Sequence, residues 1–337
     1  MSFLVLIIIL CCISLSGWGR KDIESPCIGL EVSSWLRGLL VLLVIFHHID
    51  AGILEMPGLI KCAISCGKYA VCLFFFMSGY GLMLQYCRKG REMFVGYLPK
   101  RASKLGLPIL IALLVYTAYY AFVVGSVPPV RSLGELEWFV PYSWFVYELA
   151  GMYLLFFILF RFLSARYGLA ALYAIILLLM FGISRTELNG HWWISSLSFP
   201  LGCTFAYSEP CLVQRRYVAL LVGLVLLALR VLWGHIIDGE ILSPYPLLGV
   251  PAFLCVSWYV LPLLRVRKKN VLSFLGGISY EIYLYQGLAF ALAAPLGAHY
   301  PCLYAVVLFV AAAFFGVVMN RGTALLRAGV GRRLSAR

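Results

Sequence analysis

Charged residues are scarce in this chain. Only 12% of its 337 residues are Asp, Glu, Lys or Arg, whereas 63% are hydrophobic and the mean hydropathy is +0.95. A water-soluble domain of this size cannot bury so much apolar surface, because part of every globule faces water. The apolar runs are about 17–22 residues long, which fits membrane-spanning helices better than the strands of a barrel. The sequence therefore predicts an all-α membrane protein.

Patterns that hold metals are also missing from the sequence. The eleven cysteines are scattered, and they form neither a CxxC pair nor a Cys/His spacing typical of a metal site. We therefore expect no bound metal and no resident cofactor. Cys62 and Cys66 either form a disulfide in a loop or, like the other cysteines, act as small apolar residues in or near helices.

Hydropathy and turn residues divide the chain into ten core transmembrane helices in one bundle. One membrane domain, residues 32–320, contains them, and a basic tail follows over residues 321–337. Residues 1–31 add a hydrophobic stretch, Ser2 to Gly17, and a short basic loop. This stretch is either an additional helix or a cleaved signal peptide, and the lack of a basic residue at its start favours the helix. The predicted core spans are roughly 35–54, 69–86, 105–125, 142–162, 168–184, 192–208, 217–233, 246–264, 272–294 and 302–320.

Acidic residues are about half as frequent as basic ones, with 14 Asp and Glu against 27 Lys and Arg. If the loop before Arg37 is cytoplasmic, 22 of the 27 basic residues fall in cytoplasmic segments, as the positive-inside rule requires. This predicts a multi-pass protein of the cell membrane, bacterial inner membrane in particular, with both ends of the core in the cytoplasm. Its basic face would attract anionic lipids or a phosphate-rich ligand. We expect no nucleic-acid partner, because the sequence offers no soluble basic domain.

Ionisable residues inside the predicted spans are few, and such residues are candidates for function. Arg37 lies at the start of the first core span, eleven residues before His48. In a helix this spacing places both residues on one face, about 16 Å apart along the axis, with His47 rotated by roughly 80° from that line. The ionisable residues within the spans are His47, His48, Asp50, Glu148, Arg230 and Glu281.

Glu148 lies on the fourth predicted span, about 9 Å from its outer end and therefore at a depth similar to that of His48. A carboxylate is the usual support for a histidine that acts as a base. Glu148 therefore either orients His48 or pairs with Arg230, and the sequence alone does not decide between them.

Six short stretches, taken in chain order, resemble the motifs of the acyltransferase 3 family of membrane proteins. The resemblance covers roughly residues 32–320, and its first stretch is similar to the arginine, ten residues and histidine that open the family, which maps that pair onto Arg37 and His48. Lys104, Pro108 and Gln286 depart from the family pattern: Lys104 stands where arginine is commoner, Pro108 falls one position late, and Gln286 stands where histidine is frequent. The stretches are LRGLLVLLVIFHH (36–48), LFFFMSGYGLM (73–83), KRASKLGLP (100–108), WFVYELAGMYLLF (144–156), FPLGCTFA (199–206) and LSFLGGISYEIYLYQ (272–286).

The resemblance implies an O-acyltransferase that takes an acyl group, acetyl above all, from cytoplasmic acyl-CoA. Its acceptor would be a hydroxyl of an extracytoplasmic glycan or lipid-linked sugar. His48 would act as a base or an acyl carrier, Arg37 would help to hold the donor, and Glu148 would orient the histidine. The basic residues expected to meet the phosphates of CoA are Arg88, Lys89, Arg101 and Lys104. The polar or aromatic residues expected to line the pocket are Ser78, Tyr80, Trp144, Tyr280, Glu281 and Tyr283.

Two other functions fit parts of the sequence. A transporter or flippase for a polysaccharide precursor or an anionic solute would also use ionisable residues in the membrane, but the sequence shows no matching halves with broken helices. A polysaccharide polymerase would need a large outer loop, and the longest predicted outer loops, roughly 126–141 and 55–68, are short.

Overall fold

The computed structural model describes residues 2–18, 26–49, 67–131, 133–186, 188, 190–234, 245–297 and 299–335. Asp50, Cys62 and Cys66 lie outside the described residues. Helices make up most of the described chain, as the composition predicts. They are α1 (Ser2–Ser14), α2 (Leu30–His48), α3 (Gly67–Lys89), α4 (Tyr97–Arg101), α5 (Leu107–Tyr119), α6 (Leu133–Phe139), α7 (Trp144–Phe162), α8 (Ala165–Ile183), α9 (His191–Ile194), α10 (Ser198–Tyr207), α11 (Glu209–Leu212), α12 (Arg216–Gly234), α13 (Val250–Val260), α14 (Val271–Gly277), α15 (Ser279–Ala293) and α16 (Pro301–Ser335).

Short irregular helices extend several of these elements. Five-residue π-helical segments flank α5, so that the chain runs as one long helix from Tyr97 to Val124. A third π-helical segment precedes α13. The segments are the 3-10 helices Gly90–Phe94, Leu261–Leu263 and Ala294–Leu296, and the π helices Ala102–Gly106, Tyr120–Val124 and Tyr245–Gly249.

Within the described residues, seven helices are long and apolar enough to cross a membrane: Leu30–His48, Gly67–Phe94, Tyr97–Val124, Trp144–Phe162, Ala165–Ile183, Arg216–Trp233 and Leu303–Ala328. An eighth apolar helix, Leu247–Leu263, is shorter. The count of ten core spans is therefore not confirmed.

The other two predicted spans fall on interrupted helices. The span predicted over residues 192–208 is divided between α9 and α10, and the span predicted over residues 272–294 is divided between α14 and α15. Hydropathy averages over such a break, because a turn inside an apolar segment does not lower its mean.

The N-terminal segment forms a helix that is shorter than predicted. Helix α1 has 13 residues, which is less than the roughly 20 that a span needs. It is followed by a strand, β1 (Leu15–Trp18), that pairs antiparallel with β2 (Leu264–Val266). This small sheet, which the all-helical prediction did not include, joins the start of the chain to the segment that leads into α14.

Glycines bring two pairs of helices into backbone contact. A Cβ atom on Gly38 of α2 would lie 1.8 Å from the carbonyl oxygen of Leu272 in α14, and one on Gly276 would lie 1.8 Å from that of Ser34. A Cβ atom on Gly79 of α3 would lie 2.1 Å from the carbonyl oxygen of Phe199 in α10. Small residues allow helices in membranes to approach this closely. The packing fixes α2 and α3, the two helices that carry most of the candidate site.

Candidate active site

A cavity of about 740 Å³ lies at the His48 end of α2. The start of α3, the loop before α7 and the start of α9 complete its wall. We call it the histidine cavity, and its polar or aromatic lining includes His48, Glu137, Tyr142, Trp144, His191 and Tyr283. It combines an apolar wall with a few converging polar groups, which is typical of a ligand site.

His48 is held on one edge and one face. Its Nδ1 lies 3.2 Å from Oε1 of Gln286, whose side chain is fully buried. An amide oxygen only accepts hydrogen bonds, so this bond forms in the tautomer in which Nδ1 carries the hydrogen and Nε2 has the lone pair. The imidazole ring also stacks on Tyr142, with ring centroids 3.8 Å apart. The side chain therefore has a fixed orientation and a nucleophilic nitrogen.

Tyr142 has an unusual backbone conformation for a residue with a side chain. Its φ is +70°, in the left-handed region, and the hydroxyl of Tyr283 donates a hydrogen bond to its carbonyl oxygen. Burial raises the pKa of the Tyr142 hydroxyl, which therefore stays protonated. Backbone strain of this kind is found at functional sites, where surrounding contacts maintain it. Here it keeps the Tyr142 ring against His48.

A second histidine of this cavity pairs with a carboxylate. Nε2 of His191 lies 3.0 Å from Oε1 and 3.2 Å from Oε2 of Glu137. The indole nitrogen of Trp192 donates to Oε2 of the same carboxylate at 2.9 Å. The pair therefore forms a fixed carboxylate and imidazole unit in the wall of the cavity that His48 also lines.

A smaller cavity of about 180 Å³ lies at the Arg37 end of α2. Arg37 bonds within its own helix, to the carbonyl oxygen of Ser33 and the hydroxyl of Ser34, both at 3.3 Å. The guanidinium of Arg101 lies 4.8 Å from the ring centre of Tyr153. We call this the basic cavity, and its lining includes Arg37, Phe74, Ser78, Gln85, Arg101 and Tyr153. Among the described residues, neither arginine has a carboxylate partner, so the cavity is suited to an anion.

Both cavities open onto one face of α3. The α3 residues that line them recur at helical spacing: Gly67 and Val71 in the histidine cavity, then Phe74, Ser78 and Gln85 in the basic cavity.

Three aromatic rings in contact link the lining of the basic cavity to that of the histidine cavity. Phe74 of the basic cavity lies 5.8 Å from Phe145, and Phe145 lies 5.4 Å from Tyr283 of the histidine cavity, between ring centroids. We call these three residues the aromatic layer.

Glu148 does not contact His48 as proposed from depth. It accepts a hydrogen bond from Ser196 at 2.5 Å, and its other carboxylate oxygen is buried without a partner. Gln286 takes the place expected for Glu148 beside the His48 ring. Pairing with Arg230 is not seen either: among the described residues Glu148 forms no ion pair, and Nε of Arg230 is also buried without a hydrogen-bond partner. A similar depth does not place two side chains together, since direction around each helix also has to match.

Three of the six predicted lining residues border a cavity. Trp144 and Tyr283 line the histidine cavity, and Ser78 lines the basic cavity. The other three bond elsewhere: Tyr80 donates to Glu209 at 2.5 Å, Tyr280 donates to the carbonyl oxygen of Leu105 at 2.9 Å, and Glu281 accepts from Asn320 at 3.0 Å.

One of the four predicted CoA-binding residues joins Arg37. Arg101 lies in the basic cavity, whereas Arg88 and Lys89 are exposed at the end of α3. The side chain of Lys104 is also exposed, and its carbonyl oxygen accepts a hydrogen bond from Arg327 at 3.4 Å.

The family model described as an acyltransferase domain matches residues 33–321, nearly the whole chain. The chain belongs to the acyltransferase 3 family. No curated protein and no solved structure matches the chain. The protein is therefore an acyltransferase, and its long apolar helices make it an integral membrane protein. The transporter interpretation is not favoured.

Sequence reasoning missed several residues of this acyltransferase site. Gln286 was noticed only as a departure from the family motif, although it is the hydrogen-bond partner of His48. Tyr142, Glu137 and His191 lie in or beside short loops, where hydropathy gives no signal. The one available signal was that a histidine follows Gly190 next to two tryptophans, at the outer end of a predicted span.

Proposed function

We propose that this acyltransferase moves an acetyl group, or a related acyl group, from cytoplasmic acyl-CoA to a hydroxyl of an extracytoplasmic glycan or lipid-linked sugar. Its place would be a bacterial inner membrane, with both ends of the core in the cytoplasm. One observation carries the proposal: α2 presents Arg37 to the basic cavity and His48 to the histidine cavity. A single rigid helix thus joins a site for an anion to a site for acyl chemistry.

The basic cavity supports binding of the donor. Arginine binds phosphate with two parallel, charge-assisted hydrogen bonds, and Arg37 and Arg101 both line this cavity. At about 180 Å³ it is smaller than the roughly 300–1,000 Å³ of a pocket for a drug-sized ligand. It therefore suits one part of CoA, with the remainder lying against the exposed Arg88 and Lys89.

The acyl group has to pass the aromatic layer to reach His48. The shared face of α3 gives a direct path, because Val71 and Phe74 line different cavities and are about one helical turn apart. Phe74 and Phe145 would move aside when the donor arm enters and would otherwise keep water out of the path, while Tyr283 keeps its hydrogen bond to the carbonyl oxygen of Tyr142.

His48 has the nitrogen that acyl transfer needs. As a base, its Nε2 accepts the proton of the acceptor hydroxyl while the hydroxyl oxygen attacks the thioester carbon and the C–S bond breaks. As a carrier, Nε2 itself attacks the thioester carbon, CoA leaves as the thiolate, and the hydroxyl then attacks the acyl-imidazole. In the first route the hydroxyl proton is left on Nε2. In the second route the acyl carbon–Nε2 bond breaks with its electron pair on Nε2, and the hydroxyl proton passes to water. In both routes one C–S bond is replaced by one C–O bond, and CoA leaves as the thiolate.

Substitution of His48 and Arg37 tests this function. In the native host, His48→Ala and Arg37→Ala should remove an acetyl-sized substituent from surface glycans, as measured by mass spectrometry, with the protein still present in the membrane. His299→Ala, an exposed histidine outside both cavities, is the matched control. Unchanged glycans in the His48→Ala strain would contradict the proposal.

A membrane assay separates the enzyme from a transporter. Membranes that contain the wild-type protein should transfer radiolabel from acetyl-CoA to an endogenous glycan, and those with His48→Ala should not. A transporter would give no label in either sample.

A further inference from the structure

The histidine cavity contains two imidazoles with different partners. We propose that His191, held by Glu137, is the base that takes the proton from the acceptor hydroxyl, while His48 acts on the acyl group. This inference rests on the proposed function and divides its chemistry between two residues.

The hydrogen bonds of His191 fix its tautomer. A carboxylate only accepts hydrogen bonds, so Nε2 of His191 carries the hydrogen that points to Glu137 at 3.0 Å. Nδ1 then has the lone pair. Trp192 donates to the same carboxylate at 2.9 Å and keeps it in place. A base oriented by a carboxylate in this way is the usual arrangement for removing a proton from a hydroxyl.

Gln286, the partner of His48, lacks the negative charge that would help a histidine to hold the proton of the acceptor hydroxyl. Gln286 is a neutral amide, which orients a ring but gives little stabilisation to an imidazolium. The Glu137 carboxylate lies 3.0 Å from Nε2 of His191, so an opposite charge stands beside this ring when the ring takes up a proton from the acceptor. A histidine that holds a proton during the reaction is therefore better placed at position 191 than at position 48.

Exposure also separates the two histidines. The side chain of His191 is 36% exposed, so it lies at the rim of the cavity, where an acceptor from the water phase would arrive. The ring of Trp144 lies 5.0 Å from it and forms an apolar wall beside the incoming hydroxyl. His48, in contrast, lies on the same helix as Arg37, which lines the basic cavity.

The proposed step is balanced. The acceptor O–H proton moves to Nδ1 of His191, and the oxygen forms a bond to the acyl carbon. The bond from that carbon to the CoA sulfur, or to Nε2 of His48 if His48 carries the acyl group, breaks with its electron pair on the leaving atom. The proton on His191 then passes to water.

Hydroxylamine distinguishes a base from a structural residue, because it attacks acyl groups at neutral pH without first losing a proton. Membranes of the native host receive radiolabelled acetyl-CoA, with or without hydroxylamine. His191→Gln should lower glycan labelling by about 100-fold or more, the usual effect of losing a base. Formation of acetylhydroxamate above the background measured with His48→Ala membranes, where hydroxylamine reacts with acetyl-CoA unaided, should fall much less. Glu137→Gln should give an intermediate loss of glycan labelling, and His299→Gln should behave as the wild type does.

Equal losses of both products in His191→Gln, or no loss of either, would overturn the inference. If the wild type forms no hydroxamate, the kinetics with acetyl-CoA decide: a lower kcat with unchanged KM supports the role of His191, and any other pattern contradicts it. Absence of acetyl label in the wild type, or full labelling with His48→Ala, would instead refute the proposed function. If glycan labelling is lost with His48→Ala but is complete with His191→Gln, only the role of His191 is refuted.

Discussion

The two cavities at the ends of α2 differ in size, in charge and in the partners of their side chains. The histidine cavity is about 740 Å³ and contains an imidazole bonded to a buried amide. The basic cavity is about 180 Å³ and contains two arginines with no carboxylate partner among the described residues. A small, charged site suits one invariant part of a donor, whereas a large, mostly apolar one suits a bulky acceptor. One helix thus carries a small, charged cavity at one end and a large, mostly apolar cavity at the other.

The largest effect is expected where α2 packs against α14, because this contact positions both ends of α2. Gly38→Ala would place a Cβ atom 1.8 Å from the carbonyl oxygen of Leu272, so the helices must separate. We expect a loss of stability of about 1–3 kcal/mol or more and little folded protein. Gly182→Ala is the control, since no atom lies within 4 Å of the added Cβ. Thermal unfolding in detergent measures both, and equal melting temperatures for the two variants would contradict the packing described here.

The charge of the basic cavity gives the next largest effect. Arg37→Ala should raise the KM for acetyl-CoA by about tenfold to hundredfold, because charge-assisted hydrogen bonds are lost. Arg101→Ala should act in the same direction, and Arg88→Ala, which changes an exposed residue, should act weakly. Initial rates at varied acetyl-CoA provide the measurement. A KM unchanged by Arg37→Ala would mean that the donor binds elsewhere.

Two glutamines, one beside each cavity, allow the two cavities to be compared by the same type of substitution. Gln286→Leu removes the hydrogen bond to His48, so kcat should fall about two- to tenfold with little change in the KM for acetyl-CoA. Gln85→Leu alters the wall of the basic cavity, and it should change KM rather than kcat. The same change in kcat and KM in both variants would show that acyl transfer and donor binding are not assigned to different cavities.

The aromatic layer gives the smallest expected effect. Phe145→Leu keeps an apolar side chain at a buried position but leaves some space unfilled, so the loss of stability should stay below the roughly 3–5 kcal/mol of a Phe→Ala change. The thinner layer should let water reach the acyl group, and CoA release without acceptor should rise. Release of free thiol measures this. Phe122→Leu, which changes an exposed residue outside the layer, is the control, and equal release in both variants would mean that Phe145 is not part of the barrier.

The periodic part of the architecture follows from the sequence. The membrane class and most long helices come from apolar length, and the eleven-residue spacing places Arg37 and His48 on one helix. The breaks within the two short helix pairs were missed, because they lie inside apolar segments whose mean hydropathy remains high.

Contacts between distant elements were not predictable in the same way. The bond from His48 to Gln286 joins residues 238 positions apart, and it depends on how α15 is rotated beside α2. Glu148 illustrates the same limit, since its depth matched that of His48 while its direction leads to Ser196. Helical periodicity fixes spacing along one element, and packing decides which elements meet.

The face of the membrane from which acetyl-CoA is used tests the proposed arrangement of the two cavities most directly. Acetyl-CoA does not cross lipid, so sealed inverted vesicles, with their cytoplasmic face outward, should transfer label from added acetyl-CoA to glycan. Sealed right-side-out vesicles should do so only after they are made permeable, and neither preparation should do so with His48→Ala. Labelling of sealed right-side-out vesicles, or none in inverted vesicles that contain the wild-type protein, would contradict a donor site at Arg37 and an acceptor site at His48.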